Sequence, residues 1–109
     1  MTALAEVGWE VLGALDDLDI GDRREVTLES GKLVLVMRTE AGFHASCADC
    51  PHQDTPLAEG MLDGTVLTCP VHFWQWDVTT GEPIGVAELP LEIFELRQEG
   101  GRWLIRSRA

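Results

Sequence analysis

Two short cysteine–histidine pairs constrain this 109-residue chain more than any other feature of its sequence. The first pair is Cys50 and His52, separated by one residue, and the second is Cys69 and His72, separated by two. Sixteen residues lie between the two pairs. Thiolates and imidazoles are the ligands that suit zinc and iron–sulfur clusters. The pattern therefore predicts a metal centre clamped between two loops, each of which supplies one thiolate and one imidazole.

The spacing helps to decide between one metal ion and two. Structural zinc sites also use two cysteines and two histidines, but they usually leave at least two residues between paired ligands. The single residue between Cys50 and His52 is tight for two ligands on one ion, yet natural for ligands on two neighbouring irons. We therefore predict an iron–sulfur centre, and a structural zinc module for protein interaction is the less favoured alternative.

The rest of the sequence is typical of an all-β chain. Polar and apolar residues alternate in 25–28 and in 91–96, as expected of half-buried strands. Turn signals at residues 30–32 and 99–101 predict a hairpin on either side of the metal-binding region. The predicted strands cover residues 9–12, 25–28, 32–39, 43–46, 66–68, 75–78, 91–96 and 102–106.

The length predicts a single domain over residues 1–109. The region from about residue 47 to residue 85 differs from the remainder, because it holds all three cysteines, two of the three histidines and four of the five prolines. We interpret it as a loop-rich lobe inserted into a β framework. Loops held by a rigid scaffold commonly carry function, so the metal centre is expected in this lobe.

The two halves of the motif, Cys50-Pro51-His52-Gln53 and Cys69-Pro70-Val71-His72, resemble those of the Rieske [2Fe–2S] family. In a Rieske centre two cysteines hold one iron and two histidines hold the other. The resemblance implies one [2Fe–2S] cluster on Cys50, His52, Cys69 and His72. It also implies a Rieske-type fold, in which an antiparallel β-sandwich base carries the inserted cluster-binding lobe.

Residues 69–74 and 86–92 are similar to ferredoxins of four-component di-iron monooxygenases, which hydroxylate aromatic compounds or epoxidise alkenes. This resemblance implies an electron carrier between an NADH-dependent flavin reductase and a terminal oxygenase. The alternatives are the ferredoxin of a Rieske non-haem iron dioxygenase and the small Rieske subunit of a nitrite reductase. An oxygenase active site needs two histidines and a carboxylate on a mononuclear iron, and only His44 remains for it. The chain is therefore not expected to be an enzyme.

The charge restricts the possible partners. The formal net charge is −11, so a nucleic acid or an anionic membrane would be repelled. A basic protein surface is the natural partner, and we expect transient electrostatic docking. The sequence shows neither a targeting segment nor a run long enough to span a membrane. We expect a cytoplasmic monomer.

Three positions predict the reduction potential within the Rieske range. High-potential relatives carry an additional, disulfide-bonded cysteine in each loop, and this chain has Thr55 and Val71 there. The family's usual serine donor to a cluster sulfide is replaced by Trp74. Fewer donors stabilise the reduced state less. We therefore expect a potential near the bottom of the range of about −150 to +300 mV.

The other notable side chains have simpler interpretations. Cys47 is expected to be a small buried filler and not a redox-active thiol. His44 is expected to be a surface or hydrogen-bonded strand residue. For Trp74 a functional role, in shielding the cluster or contacting a partner, and plain core packing are equally favoured. Core packing is expected of the other three tryptophans, and glycines in the loops are expected to allow positive φ or a close backbone approach. The three tryptophans are Trp9, Trp76 and Trp103, and the loop glycines are Gly60, Gly64 and Gly81.

Overall fold

Antiparallel β-sheet dominates the computed structural model, which describes residues 9–50, 55–70 and 73–107. Six strands form one sheet, here called the base: β1 (Glu10–Gly13), β2 (Arg23–Thr27), β3 (Leu33–Thr39), β4 (Gly42–Cys47), β9 (Ile93–Glu99) and β10 (Arg102–Ser107). Four shorter strands form a second sheet, here called the lobe sheet: β5 (Met61–Asp63), β6 (Val66–Thr68), β7 (Gln75–Asp77) and β8 (Pro83–Ile84), preceded by a 3₁₀ turn (Leu57–Glu59). The strand order is β1-β10-β9-β4-β3-β2 in the base and β5-β6-β7-β8 in the lobe sheet.

The predicted all-β architecture, with a base and an inserted lobe, is confirmed. Both predicted hairpins are present, as the β2–β3 and β9–β10 pairs. Two of the lobe strands, β5 and β8, were not predicted, because three and two residues are too few to show an alternating pattern. No helix in the described ranges is long and apolar enough to cross a membrane.

Strand β3 explains why residues 33–37 are continuously apolar. Its side chains alternate between two hydrophobic clusters, with Val34 and Val36 in one and Leu35 and Met37 in the other. All four side chains are fully buried, so neither face of this strand meets water. A strand buried on both faces needs apolar residues at every position.

The lobe leaves and rejoins the base at neighbouring points. It follows β4 and precedes β9, and these two strands pair through Ala45 with Phe94 and Ser46 with Ile93. The N–H of Cys47 donates to the carbonyl of Glu92 at 3.1 Å, which ties the two ends of the lobe together. The lobe is therefore an insertion held at its base by main-chain hydrogen bonds.

Trp76 anchors the lobe sheet to the base. Its side chain is fully buried in the cluster that also contains Leu35, Met37 and Ile93 of the base. Its indole N–H donates to the carbonyl of Leu89 at 2.8 Å, so its polar atom is satisfied inside the core. This packing fixes the lobe sheet, and the loops that extend from it, against one face of the base.

Candidate metal centre

The two cysteines of the predicted ligand set lie close to the same part of the core. Cys50 is 3% exposed and Cys69 is fully buried, and both belong to the cluster that contains Leu57 and Leu67. Cys50 follows the short segment after β4, whereas Cys69 comes directly after β6. The fold therefore brings the two thiols, nineteen residues apart in the sequence, into one apolar environment at the end of the lobe sheet.

Each of these cysteines opens a loop that is closed in the same way. The N–H of Cys50 donates to the carbonyl of Thr55 at 2.9 Å, and the N–H of Cys69 donates to the carbonyl of Trp74 at 2.7 Å. In both loops the hydrogen bond joins a cysteine to the residue five positions later. The two loops thus begin and end alike, although their sequences share only the cysteine, the following proline and one histidine.

The two predicted imidazole ligands fall inside these loops. His52 and His72, together with Pro51, Gln53 and Val71, lie outside the described residues. Among the residues that are described, no three His, Cys, Asp or Glu side chains are grouped closely enough to hold a metal ion. The assignment of the two histidines therefore stays a prediction, which the closed loops around them support.

Phe73 ends the second loop in an unusual backbone conformation. Its φ is +56°, in the left-handed region that residues with a side chain rarely adopt. Such conformations persist only where the surrounding structure enforces them, and they are common at functional sites. The side chain of Phe73 is 70% exposed, so this turn presents a large apolar group to solvent one residue after the predicted ligand His72 in the sequence.

The donor set fits a two-iron cluster with mixed ligands. A [2Fe–2S] centre held by cysteine alone needs four thiolates, and this chain has three cysteines. All three are thiols, and only two of them, Cys50 and Cys69, occupy equivalent loop positions. Two thiolates and two imidazoles complete the ligands that a Rieske-type cluster requires, so the residues present fit that group.

Gly60 allows the two loop-bearing segments to approach each other. A Cβ atom at this position would overlap the carbonyl oxygen of Thr68, the residue that precedes Cys69. The φ of Gly60 is −82°, a value that any residue can adopt. A glycine is therefore required here by the close backbone approach and not by the backbone conformation. By contrast, Gly64 and Gly81 have the predicted positive φ values, +59° and +84°.

Arg23 ties the lobe to an edge strand of the base. Its guanidinium, on β2, donates to the carbonyl of Ala58 at 2.9 Å and also to the carbonyl of Gly60. Since Gly60 packs against Thr68, Arg23 supports the backbone from which the second loop begins. Nothing in the local sequence around Arg23 indicates this contact, because its partners lie 35 and 37 residues away.

Replacing Arg23 with methionine is expected to lower the free energy of unfolding by about 1.5–3 kcal/mol, since hydrogen bonds from a charged donor are lost. Urea unfolding of the cluster-loaded protein measures this change. The matched control is Arg24→Met, whose ion pair with the 75% exposed Asp17 should contribute about 0–1 kcal/mol. Equal decreases in the free energy of unfolding of the two variants would contradict a stabilising role for the hydrogen bonds of Arg23.

His44 is the hydrogen-bonded strand residue that was predicted. Its Nε2 is 2.8 Å from the hydroxyl of Thr39, which also accepts the N–H of Ala41 at 3.1 Å. Burial lowers the pKa of His44 from its usual 6.5, and the negative charge of Asp77 opposes the shift only in part. Hydrogen bonds from the Thr79 side chain and backbone lower the pKa of Asp77, so this carboxylate is ionised at neutral pH.

The lowered pKa of His44 predicts a pH-dependent stability. The unfolded chain takes up a proton on His44 more readily than the folded protein does, so protonation favours unfolding. The contribution of His44 to the free energy of unfolding is therefore complete above about pH 6.5 and is lost as the pH falls below that value. Unfolding of the wild type and of His44→Gln between pH 7.5 and 5 should give a smaller decrease in the variant. If the free energy of unfolding fell equally with pH in both proteins, His44 would not be the source of this pH dependence.

The third cysteine and the remaining tryptophans have packing roles. Cys47 is half-buried against the core, its thiol donates to the carbonyl of Asp49 at 3.4 Å, and burial raises its pKa, which keeps it protonated. Trp74 is half-buried and packs edge-on to Trp76, with 6.2 Å between ring centroids. Trp9 is buried beneath two arginine side chains, and Trp103 packs against the second core cluster. Core packing of Trp9, Trp76 and Trp103 is confirmed.

Together the fold and the site define a class of protein: a small β domain that presents two matched, cysteine-initiated loops for a metal cluster. A match to the Rieske [2Fe–2S] domain family covers residues 8–95. The chain therefore belongs to the Rieske [2Fe–2S] domain family, and the predicted cofactor, a Rieske-type [2Fe–2S] cluster, is confirmed.

Several known proteins are similar to this chain. The ferredoxin component of an alkene monooxygenase system from Xanthobacter autotrophicus is 41% identical over 95 residues, covering 85% of this chain and 70% of that protein. A methanesulfonate monooxygenase ferredoxin subunit from Methylosulfonomonas methylovora is 40% identical over 72 residues, covering 65% of this chain and 58% of that subunit. A solved complex of reduced oxygenase and oxidised ferredoxin in carbazole 1,9a-dioxygenase contains a chain that matches with a TM-score of 0.81 and 30% identity. That match covers 93% of this chain and 94% of the other.

Proposed function

We propose that this chain carries single electrons from an NADH-dependent flavin reductase to a terminal oxygenase, and that Cys50, His52, Cys69 and His72 hold its cluster. The observation that carries the proposal is the pair of matched loops, each opened by a buried cysteine and each containing one histidine. The named relatives are ferredoxins of oxygenase systems, which supports the same role here.

The residues around the centre suit electron transfer without bond chemistry. The bound cluster supplies a one-electron couple. Cys50 and Cys69 provide thiolates from the apolar core, and Leu57 and Leu67 keep water away from that side. Arg23 and Gly60 hold the backbone behind the second loop in place, so the ligand positions need little rearrangement when the oxidation state changes.

We further propose that the oxygenase is a monooxygenase of the di-iron class that acts on alkenes or aromatic compounds. The 41% identity to the alkene monooxygenase ferredoxin supports this class. The structural likeness to the carbazole 1,9a-dioxygenase ferredoxin favours a Rieske non-haem iron dioxygenase as the second candidate. We also propose that the protein acts as a monomer in the cytoplasm, a reducing compartment in which cysteines rarely form disulfides.

Stopped-flow mixing tests the carrier role. The dithionite-reduced protein is mixed with an oxidised terminal oxygenase from the same organism, and the absorbance of both proteins is followed. We expect rapid second-order oxidation of the carrier with matching reduction of the oxygenase. A carrier that retains its cluster but stays reduced in the presence of the oxygenase would contradict the proposal. The metal content of the oxygenase then decides between the di-iron class and the dioxygenase class.

The reduction potential should lie near the bottom of the Rieske range of about −150 to +300 mV. Trp74 stands where the family has a serine donor, and its ring packs on Trp76 while its carbonyl accepts from Cys69. Thr55 replaces a disulfide-forming cysteine, so that constraint is missing as well. A spectroelectrochemical titration measures the potential, and a midpoint well above zero would contradict this interpretation.

A further inference from the structure

Large apolar side chains are exposed mainly on the lobe. Within the described residues, seven large hydrophobic side chains are exposed, and five of them lie between β5 and the start of β9. Contiguous exposed apolar groups on a small protein commonly mark an interaction site. The five on the lobe are Met61, Phe73, Ile84, Val86 and Leu89, whereas Ile20 and Leu33 lie on the base.

Four residues stand side by side at the cluster end of the lobe sheet. Met61 pairs with Thr68, Thr68 with Gln75, and Gln75 with Ile84, so all four share one position along the strands. Directly opposed residues in antiparallel strands point to the same face. The hydrogen bond from the Gln75 amide to the Thr68 hydroxyl, at 3.1 Å, confirms this for the central pair. We call these four residues the outer row.

The outer row faces away from the core. The neighbouring residues in the two central strands, Leu67 and Trp76, are fully buried in the cluster that the lobe sheet shares with the base. Because side chains alternate along a strand, the outer row points to the opposite side. Met61 at one end is 67% exposed and Ile84 at the other end is 37% exposed, with two polar residues between them.

A groove connects the outer row to the candidate metal centre. It has a volume of about 190 Å³, and its lining includes Glu59, Met61, Thr68, Cys69 and Phe73. A group seated in this groove therefore touches the loop that carries Cys69. An electron acceptor bound here is brought against one of the proposed ligands of the cluster.

The lobe has acidic residues but no lysine or arginine of its own, because residues 39–96 contain neither. The guanidinium of Arg23, on β2, reaches the lobe at the carbonyls of Ala58 and Gly60. Residues 48–91 contain seven acidic side chains, and Glu59 and Asp63 lie on either side of Met61 in the sequence. Both of these carboxylates are exposed. An apolar row with an acidic rim is complementary to an apolar patch rimmed by lysine or arginine.

We propose that the terminal oxygenase docks on the outer row and the groove beside Phe73, through an apolar patch with a basic rim. This inference rests on the proposed function and adds the surface that performs it. The apolar side chains of Met61 and Ile84 provide contact area, and Glu59 and Asp63 attract the basic rim. Redox encounters of this kind bury little surface, so a few contacts decide the rate.

The apolar part is tested with the double variant Met61→Gln and Ile84→Gln. Neither residue belongs to a core cluster, so the fold and the cluster should be retained. The matched control is Ile20→Gln with Leu33→Gln, which have similar exposures of 58% and 38% but lie on the base. We expect the second-order rate constant for oxygenase reduction to fall about tenfold in the first pair and to stay within about twofold in the control.

The acidic part is tested with Glu59→Gln and Asp63→Asn. The control, Glu25→Gln with Glu29→Gln, changes the net charge equally but on the base, where both carboxylates are exposed. At low ionic strength we expect the lobe variant to slow oxygenase reduction about threefold or more and the base variant to have less effect. The difference should disappear in about 1 M salt, where charges are screened within about 3 Å.

The outcomes separate this proposal from the proposed function. Every variant is first shown to have the wild-type visible spectrum and the wild-type rate of oxidation by ferricyanide, which needs no docking. Slower electron transfer to the oxygenase in both lobe variants supports the proposed docking surface, whether or not the reaction with the reductase also slows. Unchanged transfer, equal loss in the base controls, or a loss confined to the reductase reaction overturns the docking proposal alone. A wild-type protein that has its cluster yet never reduces the oxygenase overturns the proposed function, and the docking proposal with it.

Discussion

Replacing Cys69 with alanine should produce a protein that lacks the visible spectrum of the cluster and accepts no electron. Cys69 is fully buried in the core and begins the second loop, so another residue cannot take its place without moving the backbone. Cys47 is the one cysteine outside the proposed ligand set, and burial raises its pKa, which makes it a poor source of thiolate. The loss should therefore be complete and not partial.

Cys47→Ala is the matched control, because it removes a partly buried thiol that the proposed ligand set does not use. This variant should keep its iron, its visible spectrum and its reaction with dithionite. Iron analysis and absorption spectra of both purified variants give the comparison. A coloured Cys69→Ala protein, or a colourless Cys47→Ala protein, would require a different set of ligands.

Replacing Trp76 with alanine should lower the free energy of unfolding by about 3–5 kcal/mol, the usual cost of truncating a large buried aromatic side chain. Trp76 is fully buried where the lobe sheet meets the base, and its indole N–H also donates to the carbonyl of Leu89. Small domains are stable by only about 5–15 kcal/mol in total, so this one change removes a large share. Urea unfolding followed by circular dichroism measures it.

The volume and the hydrogen bond of Trp76 can be separated with Trp76→Phe. This variant keeps a ring in the core but loses the donor to Leu89, so its cost should be clearly smaller, about 1–3 kcal/mol. If alanine and phenylalanine were equally destabilising, the hydrogen bond and not the packing would hold the lobe. A loss below about 1 kcal/mol in Trp76→Ala would contradict its role as the anchor.

Much of the fold was predictable from local patterns. The apolar run of β3 and the turn before it specify a hairpin, and the alternation in 91–96 specifies most of β9. The spacing of the cysteine–histidine pairs predicts a metal centre on two short loops. The structure brings the two cysteines of these pairs into one apolar environment, and the histidine ligands stay a prediction. Predicted and observed strand ends differ by at most three residues, as is usual when hydrogen bonds and not sequence define them.

Other features depend on contacts that no local pattern encodes. The pairing of Ala45 with Phe94 closes the lobe across 49 residues, and Arg23 reaches carbonyls more than 30 residues away. The left-handed conformation of Phe73 could not be predicted from the sequence, since phenylalanine itself disfavours it. The outer row depends on the register of four short strands, two of which were invisible in the sequence. The surface proposed for docking therefore required the structure.

Pulsed EPR of the dithionite-reduced protein labelled with ¹⁵N-histidine tests the ligand assignment most directly. The chain has three histidines, and His44 is already engaged with Thr39 on β4. We predict strong coupling of the unpaired electron to two labelled nitrogens, one from His52 and one from His72. A reduced centre that couples to no histidine nitrogen, or a colourless protein that contains zinc, would contradict the account.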